Sequence, residues 1–177
     1  GEAAFLLAVN DQDDVVGRLA VANNHRYNKF HQSKTAFFYY LEAVEDWTVV
    51  EGLFKKAFSW VKDLGLNHIL GPKGFMVLDG FGMLVKGFEY QPAFSQTYNP
   101  TYYPDIIERL GFTKVRDIFT GRVDRSTRWP DKIARAAKII EKRRNIQVPD
   151  LKTKAELHQF IDDLMLLYNE SLAEEAG

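Results

Sequence analysis

An α/β fold, with a mixed but mainly antiparallel sheet flanked by helices, is predicted by three features of this sequence. Two short apolar runs near the N-terminus flank a polar five-residue turn. A third apolar run feeds directly into a long helix with one apolar face. A further short strand, a glycine-rich stretch and a second helix follow in the order expected of a packed sheet-and-helix core.

Ala4 to Val9 (AFLLAV) reads as the first strand and Val15 to Ala22 (VVGRLAVA) as its return, with Asn10 to Asp14 as the hairpin loop. Gly17 inside the return strand predicts a bulge or a close approach. Asn23 to Lys34 is polar with scattered aromatics and reads as a loop. Ala36 to Glu42 (AFFYYLE) reads as a buried central strand, antiparallel to the second.

The helix from Trp47 to Leu64 is the strongest local signal. Val50, Leu53, Phe54, Ala57, Phe58, Val61 and Leu64 recur at helical spacing and should pack on one face of the sheet. Asp46 suits the N-cap and Gly65 the position just past the C-terminus.

His68 to Leu70 reads as a short strand ending at Gly71-Pro72. The stretch Gly71 to Pro92 carries Gly71, Gly74, Gly80, Gly82 and Gly87 and reads as irregular. Its Phe75, Met76, Phe81, Met83, Leu84 and Phe88 are too apolar for a solvated linker, so the stretch should fold down on the core. Asn99-Pro100 starts a helix from about Thr101 to Leu110, which Gly111 ends. Phe112 to Val123 reads as the last strand or strand pair of the core.

The composition changes after Asp124. Nine Lys or Arg lie between Arg122 and Arg144, against three acidic residues. Arg128 to Asn145 reads as a helix, Pro149-Asp150 as a break, and Lys154 to Ala173 as a second amphipathic helix. Each has an apolar face to cover, on the core, on the other helix or on a second subunit. The expected division is a core over residues 1–124 and a helical extension over 125–177.

Bulk properties narrow the function. The net charge is −1 and 27% of residues are charged, so the whole chain is no polyanion binder. There is no cysteine, which excludes disulfides, thiolate zinc sites and a cysteine nucleophile. This fits a cytoplasmic protein. No apolar run reaches the length of a membrane span, so no membrane partner is expected. His25, His31, His68 and His158 are scattered without metal-ligand spacing, so no metal is expected. The basic run near Arg128 to Arg144 reads as a solvated helix face, and nucleic acid is not an expected partner.

Several motifs together resemble the GNAT N-acetyltransferase superfamily, in a GNAT-like branch with some tandem members. They are VVGRLAVANNHRYN (Val15–Asn28), Gly71-Pro72, the G-x-L-x-x-G-F-like element Gly82 to Phe88, YNPTYY (Tyr98–Tyr103) and GFTKVRD (Gly111–Asp117). The resemblance covers about Phe5 to Asp124. It lacks the strand and helices that precede the hairpin in that fold. Ile146 to Ala173 then reads as an extension or as the start of a second module.

The resemblance implies acyl transfer from acetyl-CoA or another acyl-CoA to a small-molecule or peptide amine, with a homodimer left open. It implies cofactor binding along the end of the central strand and the first turn of the next helix, at Leu41, Ala43, Val44, Trp47 and Thr48. It implies a base at Glu42, which would need burial among aromatics to take a proton near neutrality.

The chain departs from the family at two places. The family's glycine-rich pyrophosphate loop corresponds here to Ala43-Val44-Glu45-Asp46-Trp47-Thr48, with no glycine and two carboxylates. Carboxylates oppose a phosphate. The family's tyrosine acid, four residues before the Gly-Phe pair, corresponds to Ile107. Tyr103, one turn earlier, is the remaining acid candidate. The competing class is a non-catalytic GNAT-like module that binds a ligand or partner. Beside these, Tyr90 to Tyr103 would line a groove next to the central strand.

Overall fold

The computed structural model describes residues 1–74, 79–121, 123–144 and 150–171. The chain divides into two compact units, residues 1–118 and 119–177.

The first unit is built on a four-stranded sheet in the order β1-β2-β3-β4. β1 (Glu2–Val9) pairs antiparallel with β2 (Val15–Asn23), across the five-residue loop. β2 pairs antiparallel with β3 (Thr35–Ala43), and β3 pairs parallel with β4 (His68–Leu70). A parallel pair needs a crossover, and α2 (Trp47–Asp63) supplies it. The fold is therefore the expected mixed α/β sheet flanked by helices.

Asp46 caps α2 through its side chain, which accepts from Thr48 N–H at 2.7 Å. At the other end Leu66 N–H bonds to Val61 O and Gly65 N–H to Lys62 O, with Gly65 at φ +68°. This is the bonding of a Schellman motif, and glycine adopts its left-handed residue without strain.

The core lies between α2 and the sheet. Val50, Leu53, Phe54, Ala57 and Val61 are buried against Leu19, Val21, Ala36 and Phe38. Phe112 closes this core, with its ring 5.2 Å from Phe38 and 5.5 Å from Phe54.

Both readings of Gly17 hold. The β1–β2 register slips between Ala8 and Val9, opposite Gly17 and Val15. A Cβ on Gly17 would also stand 2.9 Å from Val49 Cγ1 and 3.0 Å from Leu53 Cδ1. Helix and strand approach closely because that side chain is missing.

Several expectations need correction. Asn23 to Lys34 is not all loop: it holds α1 (His25–Phe30), capped by Asn24, whose side chain accepts from Tyr27 N–H. Helices this short carry no periodic stripe, so only the cap was there to be seen. Phe112 to Val123 forms no strand among its described residues, and Val115, Ile118 and Phe119 are exposed. A run with strand-forming residues becomes a strand only where a neighbour accepts its hydrogen bonds. Phe81 is exposed, while Met83, Leu84 and Phe88 are half-buried; Phe75 and Met76 lie outside the described residues. The helix expected from Thr101 begins later, as α3 (Tyr103–Arg109), with Pro104 in its first turn.

In the second unit, α4 runs Asp131–Arg144. The expected single helix from Lys154 is two, α5 (Lys154–His158) and α6 (Ile161–Ser171). Thr153 and Glu156 form a capping box at the start of α5. Its last turn tightens, with Gln159 N–H on Glu156 O and Phe160 N–H on Leu157 O, and this ends the helix early. None of the three contains a buried residue.

Candidate functional site

The central strand β3 is irregular where the site lies. Its pairing with β2 steps from Arg18↔Glu42 to Ala20↔Tyr39, so Tyr40 and Leu41 together face Leu19. Tyr40 has φ +53°, in the left-handed region that a tyrosine rarely adopts. Pairing with β4 stops at Phe37↔Leu70, with one further bond from Lys73 N–H to Phe38 O. Gly71 makes that approach possible, since a Cβ there would stand 2.5 Å from Phe38 O. Beyond this point β3 borders a cavity of about 820 Å³ instead of a neighbouring strand. The cavity is walled by Val15–Arg18, Tyr39–Val44, part of the 72–100 loop, Tyr102 and Tyr103.

The loop is held in place by Asn99, which is buried. Its side chain accepts from Leu84 N–H at 2.7 Å and donates to Leu84 O and Pro100 O. This fixes the entry to α3, and with it the two tyrosines. Tyr102 donates its hydroxyl to Ala43 O at 2.6 Å. Tyr103 is buried, and its hydroxyl oxygen accepts Ala43 N–H at 2.9 Å. Burial pushes both phenols above their ordinary value, while the Ala43 N–H partly offsets this for Tyr103. Both therefore remain protonated at neutral pH.

Five of the seven predicted site residues reach the cavity. Leu41, Glu42, Ala43, Val44 and Tyr103 all line the cavity. Their environments differ from expectation. Glu42 pairs with Arg18 at 2.9 Å and its side chain is 69% exposed, so the burial expected of a base is absent. Ala43 N–H and C=O are held by the two tyrosines. Val44 N–H donates to Val16 O and Val44 O accepts from Asp46 N–H. Of the main-chain groups expected to receive a cofactor arm, the four of Ala43 and Val44 are thus engaged within the chain. Trp47 and Thr48 lie in the first turn of α2, outside the cavity lining. There Arg109 places its guanidinium over the Trp47 ring, 3.9 Å from the centroid.

Reasoning from sequence missed a second group on the wall. Tyr39 donates to Asp79 O, and Tyr40 donates to Asp79 Oδ2 at 3.3 Å. Asp79 lies in the apolar, glycine-rich stretch, where no motif or spacing marks it. Burial and the Asp79 charge push both phenols up. Of the predicted groove residues Tyr90 to Tyr103, Tyr98, Tyr102 and Tyr103 reach the cavity, whereas Tyr90 and Phe94 do not. Among the described residues no cluster of three His, Cys, Asp or Glu is placed to hold a metal ion. Among them also, no helix is long and apolar enough to cross a membrane.

No protein-family model matches the chain. It is 27% identical over 112 residues to Protein YghO of Escherichia coli K12, a match covering 63% of this chain and 29% of that protein. It is 29% identical over 98 residues to the bacterial ceramide synthase of Caulobacter vibrioides, covering 55% of this chain and 26% of that protein. The matches thus span little more than a quarter of the length of these curated relatives. Among solved structures it is similar to a candidate acetyl transferase from Pyrococcus furiosus, with TM-score 0.39 and 17% identity over 70% of this chain and 67% of that one.

Proposed function

We propose that this chain belongs to an acyl-CoA-dependent N-acyltransferase, which moves an acyl group from a thioester to the amine of an acceptor. The observation that carries the reading is the cavity of about 820 Å³ at the unpaired end of β3, with the Tyr103 hydroxyl on its wall. Such a cavity has room for an acyl thioester and an amine side by side. In the reaction the amine nitrogen attacks the thioester carbon, the C–N bond forms as the C–S bond breaks, and the amine gives up one proton to solvent. Tyr103 donates its proton to the departing thiolate and regains one from solvent. A phenol held above its ordinary value by burial stays protonated for that task.

The name of one relative fits this class. A ceramide is the amide of a fatty acyl group with a long-chain amino alcohol, so a ceramide synthase acylates an amine. A long-chain amino alcohol is accordingly the first acceptor to try, followed by other small-molecule and peptide amines.

A second reading, a non-catalytic module on the same scaffold, is favoured by the engaged backbone of Ala43 and Val44 and by the two carboxylates ahead of α2. One experiment separates the two. The chain has no cysteine, so thiol released from acyl-CoA can be read with a disulfide dye without background from the protein. Acetyl-CoA and a long-chain acyl-CoA are each supplied with the amines above. Thiol release that depends on the amine supports transfer. Stabilisation of the fold by CoA without release supports the binding module, and about 2.7 kcal/mol is expected at one hundred times Kd.

A further inference from the structure

We propose that Tyr102 is a positioning residue for Tyr103, acting through the backbone of Ala43. The inference rests on the acyl-transfer reading and deepens it. The two tyrosines are adjacent in the chain, yet their hydroxyls serve different ends of one strand residue. Tyr102 donates to Ala43 O at 2.6 Å, and Tyr103 accepts from Ala43 N–H at 2.9 Å. In the parallel pairing that β4 makes with β3, the two groups of one such residue go to two different residues of the neighbouring strand. Here β4 has ended at Leu70, and the tyrosine pair takes its place.

The hydrogen-bond inventory divides the roles. A phenol has one proton to give. The Tyr102 proton is committed to the hydrogen bond with Ala43 O, so it is not free for a leaving group. Tyr103 accepts a hydrogen bond from Ala43 N–H and keeps its own proton to donate. An oxygen that accepts a hydrogen bond is polarised into a better donor, and Tyr103 stands on the cavity wall where that proton is wanted. Pairing with Gly17 of β2, and the bonds that hold Val44 to Val16 and Asp46, set the register of Ala43; on the cavity side the bond from Tyr102 fixes its carbonyl and so steadies the aim of its N–H at Tyr103.

The test uses Tyr102→Phe, Tyr103→Phe and the double variant, with amine-dependent thiol release as the assay. Phenylalanine keeps the ring and its packing, including the edge contact between the two rings at 5.1 Å. Tyr103→Phe should lower kcat by about a hundredfold, the lower range for a general acid. Tyr102→Phe should lower kcat by about tenfold with KM for acyl-CoA within twofold, because it weakens the same proton transfer only in part. The double variant should be no worse than Tyr103→Phe. A Tyr102→Phe variant with parental kcat beside a crippled Tyr103→Phe, or losses that multiply in the double variant, overturns the inference. Parental kcat in both single variants overturns the acyl-transfer role of Tyr103 itself.

A second readout needs no turnover. The Tyr103 phenol is titrated by NMR on ring-labelled tyrosine in parent and Tyr102→Phe. Losing the aimed N–H should move its titration to higher pH, whereas merely removing the neighbouring phenol should move it down. An upward shift supports positioning even if no amine is acylated, and then only the catalytic reading fails. No shift, or a downward one, overturns positioning.

Discussion

The guanidinium of Arg109, at the end of α3, sits over the indole of Trp47, in the first turn of α2, with 3.9 Å between its carbon and the ring centroid. This contact ties together the two helices that border the site. It also brings a positive charge to a helix start preceded by Glu45 and Asp46. Arg109 is exposed, so the contact should contribute about 0.5–1 kcal/mol. Arg109→Ala should lower the urea midpoint accordingly, and Arg109→Lys should lower it less. An unchanged midpoint in Arg109→Ala would show that the stacking contributes nothing.

Gly17 is a point of close approach between α2 and the sheet. Its missing Cβ is replaced in space by Val49 and Leu53, at 2.9 and 3.0 Å. Leu53 is buried and Val49 packs against the core, so neither can move aside freely. Gly17→Ala should destabilise by about 1–3 kcal/mol, and Gly17→Val by more. Chemical denaturation of both variants checks this. A neutral Gly17→Val would mean that α2 is free to lift from the strand.

Four phenols along the cavity, those of Tyr39, Tyr40, Tyr102 and Tyr103, are pushed above their ordinary value of 10.0, chiefly by burial. The sign of the consequence follows from linkage. Above the ordinary value the unfolded chain loses these protons while the folded chain retains them, so stability falls as pH rises. The stabilisation is complete below pH 10 and is lost through the folded-state titrations above it. Lys73 opposes this, since burial lowers its pKa below the ordinary 10.5 and its deprotonation favours the fold as pH rises. Stability measured from pH 8 to 11 should therefore decline beyond pH 10, and less steeply in Tyr102→Phe/Tyr103→Phe. An equal slope in the double variant would remove these two groups from the account.

The α2 helix was legible because seven apolar residues, a cap and a terminal glycine all agreed, and the hairpin because its loop is short and polar. The end of β3 was legible as the border of a groove, but the state of its backbone was not. Nothing local marks Ala43 as a residue whose backbone is taken, since the partners lie 59 and 60 residues away. The bulge at Tyr40 was hidden for a different reason. Bulges are commonly signalled by glycine, and here a tyrosine holds the left-handed conformation. The run after Phe112 misled because its Val, Ile, Phe and Thr residues report a preference for extended backbone and not the presence of a partner strand.

The sharpest test of cofactor binding lies ahead of α2. If an acyl-CoA binds along β3, its pyrophosphate meets the first turn of α2, at Trp47 to Val49, where the helix dipole and Arg109 attract it. Glu45 and Asp46 oppose it. Glu45 bears no capping role, and its charge reaches the site, where it raises the Tyr102 pKa. Asp46 is different, because its side chain accepts Thr48 N–H at 2.7 Å and caps the helix. Removing a charge near an exposed helix start should change binding by about 0.3–1 kcal/mol. Removing the Asp46 cap costs a similar amount of helix stability, although asparagine retains most capping ability. CoA affinity measured by calorimetry should therefore rise up to about fivefold in Glu45→Gly and less in Asp46→Asn. Tight binding by the parent that weakens in Glu45→Gly would place the pyrophosphate elsewhere. No binding by the parent or either variant, with the fold intact, would leave the non-catalytic module as the reading of this chain.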